Sequence, residues 1–397
     1  MTTKKTQVLV LNQISPLGLT RFPQDGYLLG KDVAKPEAIL VRSYDMHAMA
    51  IPDSVRAIGR AGAGTNNIPV KEMSARGVPV FNAPGANANA VKELVLAGML
   101  IASRNLAAAA RFVDGLPKTV DDAALAKLVE DGKKDFAGIE LQQHTLGIIG
   151  LGKIGSLIAD AAIRLGMNVL GYDPEITVDA AWSLPAQVKK AQSVDEVMKA
   201  SHFVTLHVPL MEATRHLING KNLDLMRAGS VLLNFSREEI VDVKAVVAAL
   251  NAKKLKAYVT DFPVAAIAGH PGVVAFPHLG ASTREAEDYC AVMVADQVRD
   301  YLEEGVIRNA VNFPNVVMDR ESPYRIALAN TNVPNMVGQV SGAIANAGLN
   351  IHNMMNRSKG DMAYTLVDVD SPVAIEVTQA IAAIKGVLAV RYLPKAS

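Results

Sequence analysis

Gly150-Leu151-Gly152-Lys153-Ile154-Gly155 constrains this chain more than any other stretch. An apolar run, Leu146-Gly147-Ile148-Ile149, enters the glycines, and a helical apolar pattern leaves them. Strand, glycine turn and helix in that order open a dinucleotide-binding βαβ unit. Gly150 permits the tight turn, Gly152 lets a pyrophosphate approach the main chain, and Gly155 lets the helix pack close to the strand. The free amides of the helix N-terminus, with Lys153 and Ile154 first in line, then face the phosphates. Such a fingerprint is weak alone. Here a second strand-like run, Val169-Leu170-Gly171-Tyr172, ends in Asp173. An acid there accepts hydrogen bonds from the ribose hydroxyls of NAD and repels the extra phosphate of NADP. NAD is the expected cofactor.

The rest of the chain extends this α/β rhythm. From Val8 to about Val80, short β-rich runs (Ala38–Val41, Ala57–Arg60, Val78–Phe81) alternate with helical stretches. Ala90–Arg104 has apolar residues at helical spacing, with Asn87 or Asn89 as N-cap. A second α/β series runs from Thr145 to about Pro277. A long helix follows over Thr283–Glu304, with Ala286, Tyr289, Cys290 and Met293 on its apolar side. Asn309–Ser322, with Pro314 and several asparagines, reads as a linker across a domain boundary. Beyond it the pattern is strand Tyr324–Thr331, helix Met336–Ala347, strand Leu349–Ser358, strand Met362–Val369, helix Val373–Ile384 and strand Val387–Leu393. That is a ferredoxin-like βαββαβ order. The expected fold class is α/β: two Rossmann-like doubly wound parallel-sheet domains plus a C-terminal ferredoxin-like domain. The expected domains are a substrate-binding domain over 1–92 and 284–313, an NAD-binding Rossmann domain over 93–283, and a regulatory domain over 322–397.

Composition excludes several classes. With 40 basic and 39 acidic residues among 397, the chain has no basic excess to neutralise a nucleic acid. Its apolar runs are too short for a membrane span, and Met1–Val10 holds no secretory h-region. The single cysteine, Cys290, fits a reducing cytoplasm, and its helical spacing places it in the core. No metal is called for.

Hydride exchange with a 2-keto acid needs a cation for the carboxylate, an acid/base for the substrate oxygen, and a group to orient that acid/base. Arg237 ends the strand-like run Val231–Ser236, where ligands bind in an open α/β sheet, and His278 lies in Phe276–Thr283 before the long helix. Taken singly, an Arg or a His is ordinarily a surface residue.

Together with Gly59–Gly64, Asn82–Asn87, Gly150–Gly155, His207-Val208-Pro209-Leu210, Asn234–Asp242 and Pro277–Thr283, these residues resemble the D-isomer-specific 2-hydroxyacid dehydrogenases over nearly the whole chain. The resemblance implies that Arg237 binds the substrate carboxylate and that His278 is the general acid/base. It places Asp261 near the nicotinamide carboxamide, and His207, Val208, Pro209, Phe235, Gly280 and Ala281 around the cofactor. It implies oxidation of 3-phosphoglycerate to 3-phosphohydroxypyruvate, the first step of phosphorylated serine biosynthesis. Arg42 and Arg60, each at a strand end, are the candidates for the phosphate, with Arg60 equally suited to the carboxylate. Gly62, Gly64 and Asn87 should also line the substrate.

The C-terminal segment resembles an ACT domain. That implies serine as an effector, with Asn332 and Asn350 as its ligands, and pairing between subunits in a homodimer or homotetramer. A pairing module without a ligand is the alternative, because Asn335 stands where the first loop usually has Gly. One departure touches catalysis. The family's orienting Glu falls at Ala266 (or Ala265). Unless another acid replaces it, reduction, which draws a proton from His278, is expected to weaken at neutral and higher pH. Two rival readings follow: a dehydrogenase for another 2-hydroxy acid such as 2-hydroxyglutarate, and a catalytically weakened NAD-binding sensor.

Overall fold

The computed structural model describes residues 5–395, so the reading of Met1–Lys4 falls outside the described residues. The chain forms two compact units, Met1–Asn87 with Arg284–Ser397, and Ala88–Thr283.

In the first unit, β1 (Thr6–Val10), β2 (Tyr27–Gly30), β3 (Ala38–Val41), β4 (Ala57–Arg60) and β5 (Val80–Phe81) form a parallel sheet in the order β2-β1-β3-β4-β5. This is a doubly wound order. All four residues of β3 are buried, as an unbroken apolar run in a parallel sheet requires. The helix Arg284–Glu304 closes one face, and its Cys290, Val294 and Val298 share a core with Val8 and Leu40. Tyr289, expected on that apolar side, is 63% exposed. Its phenol lies just off the stripe that Ala286, Cys290 and Val294 bury.

The second unit holds β6 (Thr145–Ile149), β7 (Asn168–Tyr172), β8 (Lys189–Lys190), β9 (Phe203–Leu206), β10 (Ser230–Asn234), β11 (Leu255–Thr260) and β12 (Val273–Ala275). They are parallel, in the order β12-β11-β10-β9-β6-β7-β8. This is the dinucleotide-binding order, with its reversal between β6 and β9. The helix Ala88–Ser103 buries Val91, Val95, Met99 and Ala102 in one core with Leu146, Ile148, Val231 and Leu233. A helix with its whole apolar face against this sheet belongs to it entirely. The boundary therefore falls at Asn87/Ala88 rather than at residue 92. Asn89 lies inside the helix and bonds Glu93 and Lys92, so it is not the N-cap; Asn87 precedes the first turn.

The C-terminal segment has β13 (Tyr324–Thr331), β14 (Ile351–Lys359), β15 (Met362–Val369) and β16 (Val387–Pro394), with helices Met336–Asn346 and Ile375–Ala382. The sheet is antiparallel, ordered β14-β15-β13-β16, which is the expected ferredoxin-like βαββαβ arrangement. Asn335 adopts φ 63°, so asparagine makes the left-handed turn usually given to glycine.

The expected linker at 309–322 is instead packed structure. Phe313 and Val316 are fully buried, Ile307 pairs with Val316, and the Asn312 side chain bonds the Val80 amide and the Val78 carbonyl. The main chain of the segment also pairs with β5, Ala310 bridging Phe81 and the Val311 amide donating to the Val80 carbonyl at 2.8 Å, so the Asn312 side chain extends a short backbone pairing that sequence periodicity does not register. Beyond it, the buried Arg325 guanidinium donates to Asp368 at 2.6 and 2.8 Å and to the carbonyls of Glu304, Met318 and Asp319. This charge ties the C-terminal sheet to the end of the helix Arg284–Glu304. Removing either partner strands a buried charge, at a cost of about 3–5 kcal/mol. Among the described residues, no single helix is long and apolar enough to cross a membrane.

Candidate active site

The sequence-expected residues of the second unit's site follow the C-terminal ends of parallel strands, with Lys153, Ile154 and Gly155 in the first turn of the helix after β6. The glycine turn follows β6, Asp173 follows β7, His207 and Val208 follow β9, Arg237 follows β10, Asp261 follows β11 and His278 follows β12. In an open α/β sheet this edge is the ligand edge.

The turn is built as the glycines predict. Gly150 has φ 96°, in the left-handed region. Gly152 is the N-cap of the helix Lys153–Arg164, and no atom lies within 4 Å of where its Cβ would be. A Cβ there would fill open space just beyond the first helical amides, which is the room a pyrophosphate needs. The Asp173 carboxylate accepts the Leu151 amide at 2.8 Å and the Glu175 amide at 3.0 Å. Beyond β9, the His207 carbonyl and a Val208 methyl close on Gly150. The His207 Nε2 bonds the Thr205 hydroxyl at 2.8 Å, while its Nδ1 is buried without a partner. Burial pushes the His207 ring down to about 3, so it is neutral across the ordinary pH range. Phe235 differs from expectation. It is 7% exposed, and its ring packs against Gly98 of the helix Ala88–Ser103. Its side chain fills the core beneath the site, leaving only its main chain at the edge.

Asn234 and Ser236 shape the turn that presents Arg237. The Asn234 side chain donates to the Arg237 carbonyl at 2.8 Å and accepts the Ser236 amide at 3.1 Å, and the Ser236 hydroxyl donates to the Leu206 carbonyl at 2.8 Å. Neither residue was singled out from sequence. The available signal was a polar residue, Asn234, at the end of a fully buried strand. The exposed Arg237 forms no ion pair among the described residues, so a ligand carboxylate need displace none.

Asp261 is 1% exposed, and its Oδ2 accepts the Gly280 amide at 3.3 Å while Oδ1 has no partner. Burial pushes its carboxyl above the ordinary range. The His278 ring, the Gly280 amide, its own amide and the Arg237 guanidinium pull the other way. One buried carboxylate thus feels both His278 and Arg237, so the two expected catalytic groups share one neighbourhood. The exposed His278 ring packs against Phe262 at 4.9 Å between centroids and has no hydrogen bond or ion pair among the described residues. Ala266 lies exposed in a short helical turn, Ala265–Ile267, and supplies no acid. His270 is no substitute, since its nitrogens bond Asn251 and the Gly272 amide. The open front of Gly152 and the unpartnered polar atoms of His207 and Asp261 fit a bound nicotinamide dinucleotide.

In the first unit, Arg42 follows β3 and Arg60 ends β4. Arg60 Nε donates to the Arg42 carbonyl at 3.0 Å, and the Arg60 guanidinium lies against Gly62. Arg42 Nη2 bonds Glu287 Oε1 at 2.6 Å. Gly64 and Asn87 are half-buried. In the C-terminal sheet, Asn332 donates to the Gly360 carbonyl at 3.1 Å, and the Asn350 amide donates to Asp370 at 3.1 Å.

Residues 96–280 match the family described as D-isomer specific 2-hydroxyacid dehydrogenase, NAD binding domain. The chain is 36% identical over 274 residues to D-3-phosphoglycerate dehydrogenase of Methanocaldococcus jannaschii, covering 68% of this chain and 49% of that protein. It is 31% identical over 350 residues to D-3-phosphoglycerate dehydrogenase of Escherichia coli K12, covering 85% and 81%. It thus spans about half the length of the first relative and about four fifths of the second. Among solved structures, the TT0316 protein of Thermus thermophilus superposes with a TM-score of 0.61 at 25% identity, over 77% of this chain and all of that one. NAD+-bound 3-phosphoglycerate dehydrogenase of Entamoeba histolytica shares the fold, with a TM-score of 0.59 at 22% identity over 78% and 99%. The chain belongs to the D-isomer specific 2-hydroxyacid dehydrogenases and carries their NAD-binding domain.

Proposed function

We propose that this dehydrogenase interconverts 3-phosphoglycerate and 3-phosphohydroxypyruvate with NAD, the entry to phosphorylated serine biosynthesis. The relatives' names and the ligand-edge placement of Arg237 and His278 around one buried carboxylate support this reading. Arg237 holds the substrate carboxylate through its forked donors. In oxidation His278 takes the hydroxyl proton, and in reduction it returns a proton to the carbonyl oxygen. Bound NAD supplies the hydride acceptor in oxidation, and its reduced form the donor in reduction. Gly150, Gly152, Lys153, Ile154 and Gly155 cradle its pyrophosphate, Asp173 its ribose, and Asp261, His207, Val208, Pro209, Gly280 and Ala281 its nicotinamide end. Arg42 and Arg60, with Gly62, Gly64 and Asn87, receive the substrate's phosphorylated end. The C-terminal module acts as an ACT-type serine sensor through Asn332 and Asn350, within a homodimer or homotetramer.

The test is a substrate panel with NADH. The reading requires kcat/KM for 3-phosphohydroxypyruvate at least tenfold above that for hydroxypyruvate or 2-oxoglutarate. Equal values reject the phosphate assignment. A second reading, an NAD-binding sensor, is favoured by the missing acid at Ala266. Tight NADH binding with no turnover on any 2-keto acid would select it.

A further inference from the structure

Arg42 is already occupied. Its guanidinium bonds Glu287 Oε1 at 2.6 Å, and the two side chains retain 34% and 40% exposure. Glu287 comes from the first turn of the helix Arg284–Glu304, far along the chain from β3. Arg60 is part of the same group through its bond to the Arg42 carbonyl. The buried Cys290 thiol beneath them is raised by burial and feels Arg60, Arg42 and Glu287 together, so these three charges form one cluster. Two guanidinium groups and one carboxylate make a patch that attracts an anion but holds a competitor for it.

We propose that Glu287 is a specificity-determining residue that competes with the anionic end of the substrate for Arg42. This rests on the phosphate reading of Arg42 given above. A phosphate dianion reaching Arg42 must displace the Glu287 carboxylate or lie beside it, and like charges side by side are unfavourable. A substrate with a neutral group at that end leaves the pair intact. The carboxylate therefore narrows the advantage of phosphorylated over unphosphorylated substrates. A pair this exposed is weak, so the contribution is modest.

The experiment uses the full chain with NADH, comparing 3-phosphohydroxypyruvate with hydroxypyruvate for wild type, Glu287→Gln, Arg42→Gln and the double variant. For Glu287→Gln, the ratio of kcat/KM for the phosphorylated over the plain substrate is expected to rise about two- to fivefold, through KM. In the Arg42→Gln background the same substitution is expected to leave that ratio flat. If Arg42→Gln raises KM for the phosphorylated substrate but Glu287→Gln leaves the ratio unchanged, the phosphate reading stands and this inference falls. It falls also if Glu287→Gln shifts both substrates equally, or acts as strongly without Arg42. If Arg42→Gln leaves the ratio at its wild-type value, the phosphate reading and the inference fall together.

Discussion

A Cβ placed on Gly155 would stand 2.0 Å from the carbonyl oxygen of Gly150, whereas one placed on Gly152 would meet nothing within 4 Å. Two glycines of one fingerprint thus serve different ends. Gly155 is required by packing, whereas packing makes no such demand of Gly152, the proposed pyrophosphate contact. Gly155→Ala is expected to lower stability by about 1–3 kcal/mol, because backbone must move to admit the methyl group. Gly152→Ala, at φ −68°, keeps a permitted backbone and is expected to unfold at the wild-type temperature. It should still weaken NADH binding about tenfold or more. Thermal unfolding beside a fluorescence titration with NADH separates the two, and equal loss of stability in both variants would contradict this division.

Arg237 is held by its own turn rather than by a carboxylate. Its Nη1 donates to the Ser236 carbonyl at 2.6 Å, and Asn234 fixes its main chain. Arg237→Lys keeps the charge but loses the fork. KM for the keto acid is expected to rise about 10- to 100-fold, the worth of one charge-assisted hydrogen bond, with no change in melting temperature. Steady-state kinetics in the reduction direction checks this. A KM within twofold of wild type would remove Arg237 from the carboxylate site.

Burial sets the His207 ring to about 3, well below the ordinary 6.5. Between these values the unfolded chain binds a proton that the folded chain does not, so stability falls as pH falls through that window. The slope is at most about 1.4 kcal/mol per pH unit. His207→Gln is expected to flatten the acid limb between pH 6 and 4 while changing little above pH 7. Urea unfolding at a series of pH values reads this directly. Parallel curves for the two proteins would show that His207 is not the group responsible.

The ligand edge was legible because it is written in local chemistry. Apolar runs of strand length end in glycine, acid, Arg or His, and the parallel-sheet rule assigns all those ends to one side. The βαββαβ module was legible for the same reason, since each period is confined to its own element. What escaped depends on contacts between distant segments. Glu287 meets Arg42 from 245 residues away, and nothing in Arg284-Glu285-Ala286-Glu287 selects one carboxylate over the other. Asn312 stitches β5 through its side chain, so a buried segment resembles a linker. Phe235 follows a strand whose end faces ligand, yet its ring turns into the core against Gly98. One residue's shift in side-chain direction lies below the resolution of sequence periodicity.

The absence of an acid at Ala266 gives the sharpest test of the chemistry. His278 has an aromatic neighbour, Phe262, and feels Asp261, but Asp261 is itself drawn toward its protonated form by burial and already accepts the Gly280 amide. A carboxyl raised in this way is a weaker counter-charge near the acid end of the pH range than a solvated glutamate. Ala266 is exposed, in a turn that tolerates a longer side chain. A glutamate there, if it reaches the ring as the family pattern implies, favours the imidazolium by the attraction of an opposite charge within about 4–6 Å. Reduction consumes a proton from His278, so the descending limb of kcat/KM for reduction in Ala266→Glu is expected to move to higher pH by about one unit. Oxidation needs the ring unprotonated, so its rising limb should move the same way. On the alkaline side of both limbs reduction should gain up to about tenfold with oxidation little changed, and on the acid side oxidation should lose up to about tenfold with reduction little changed. Superimposable pH–rate profiles for wild type and variant would mean that another group already orients His278, and Asp261→Asn, assayed the same way, then shows whether that group is Asp261.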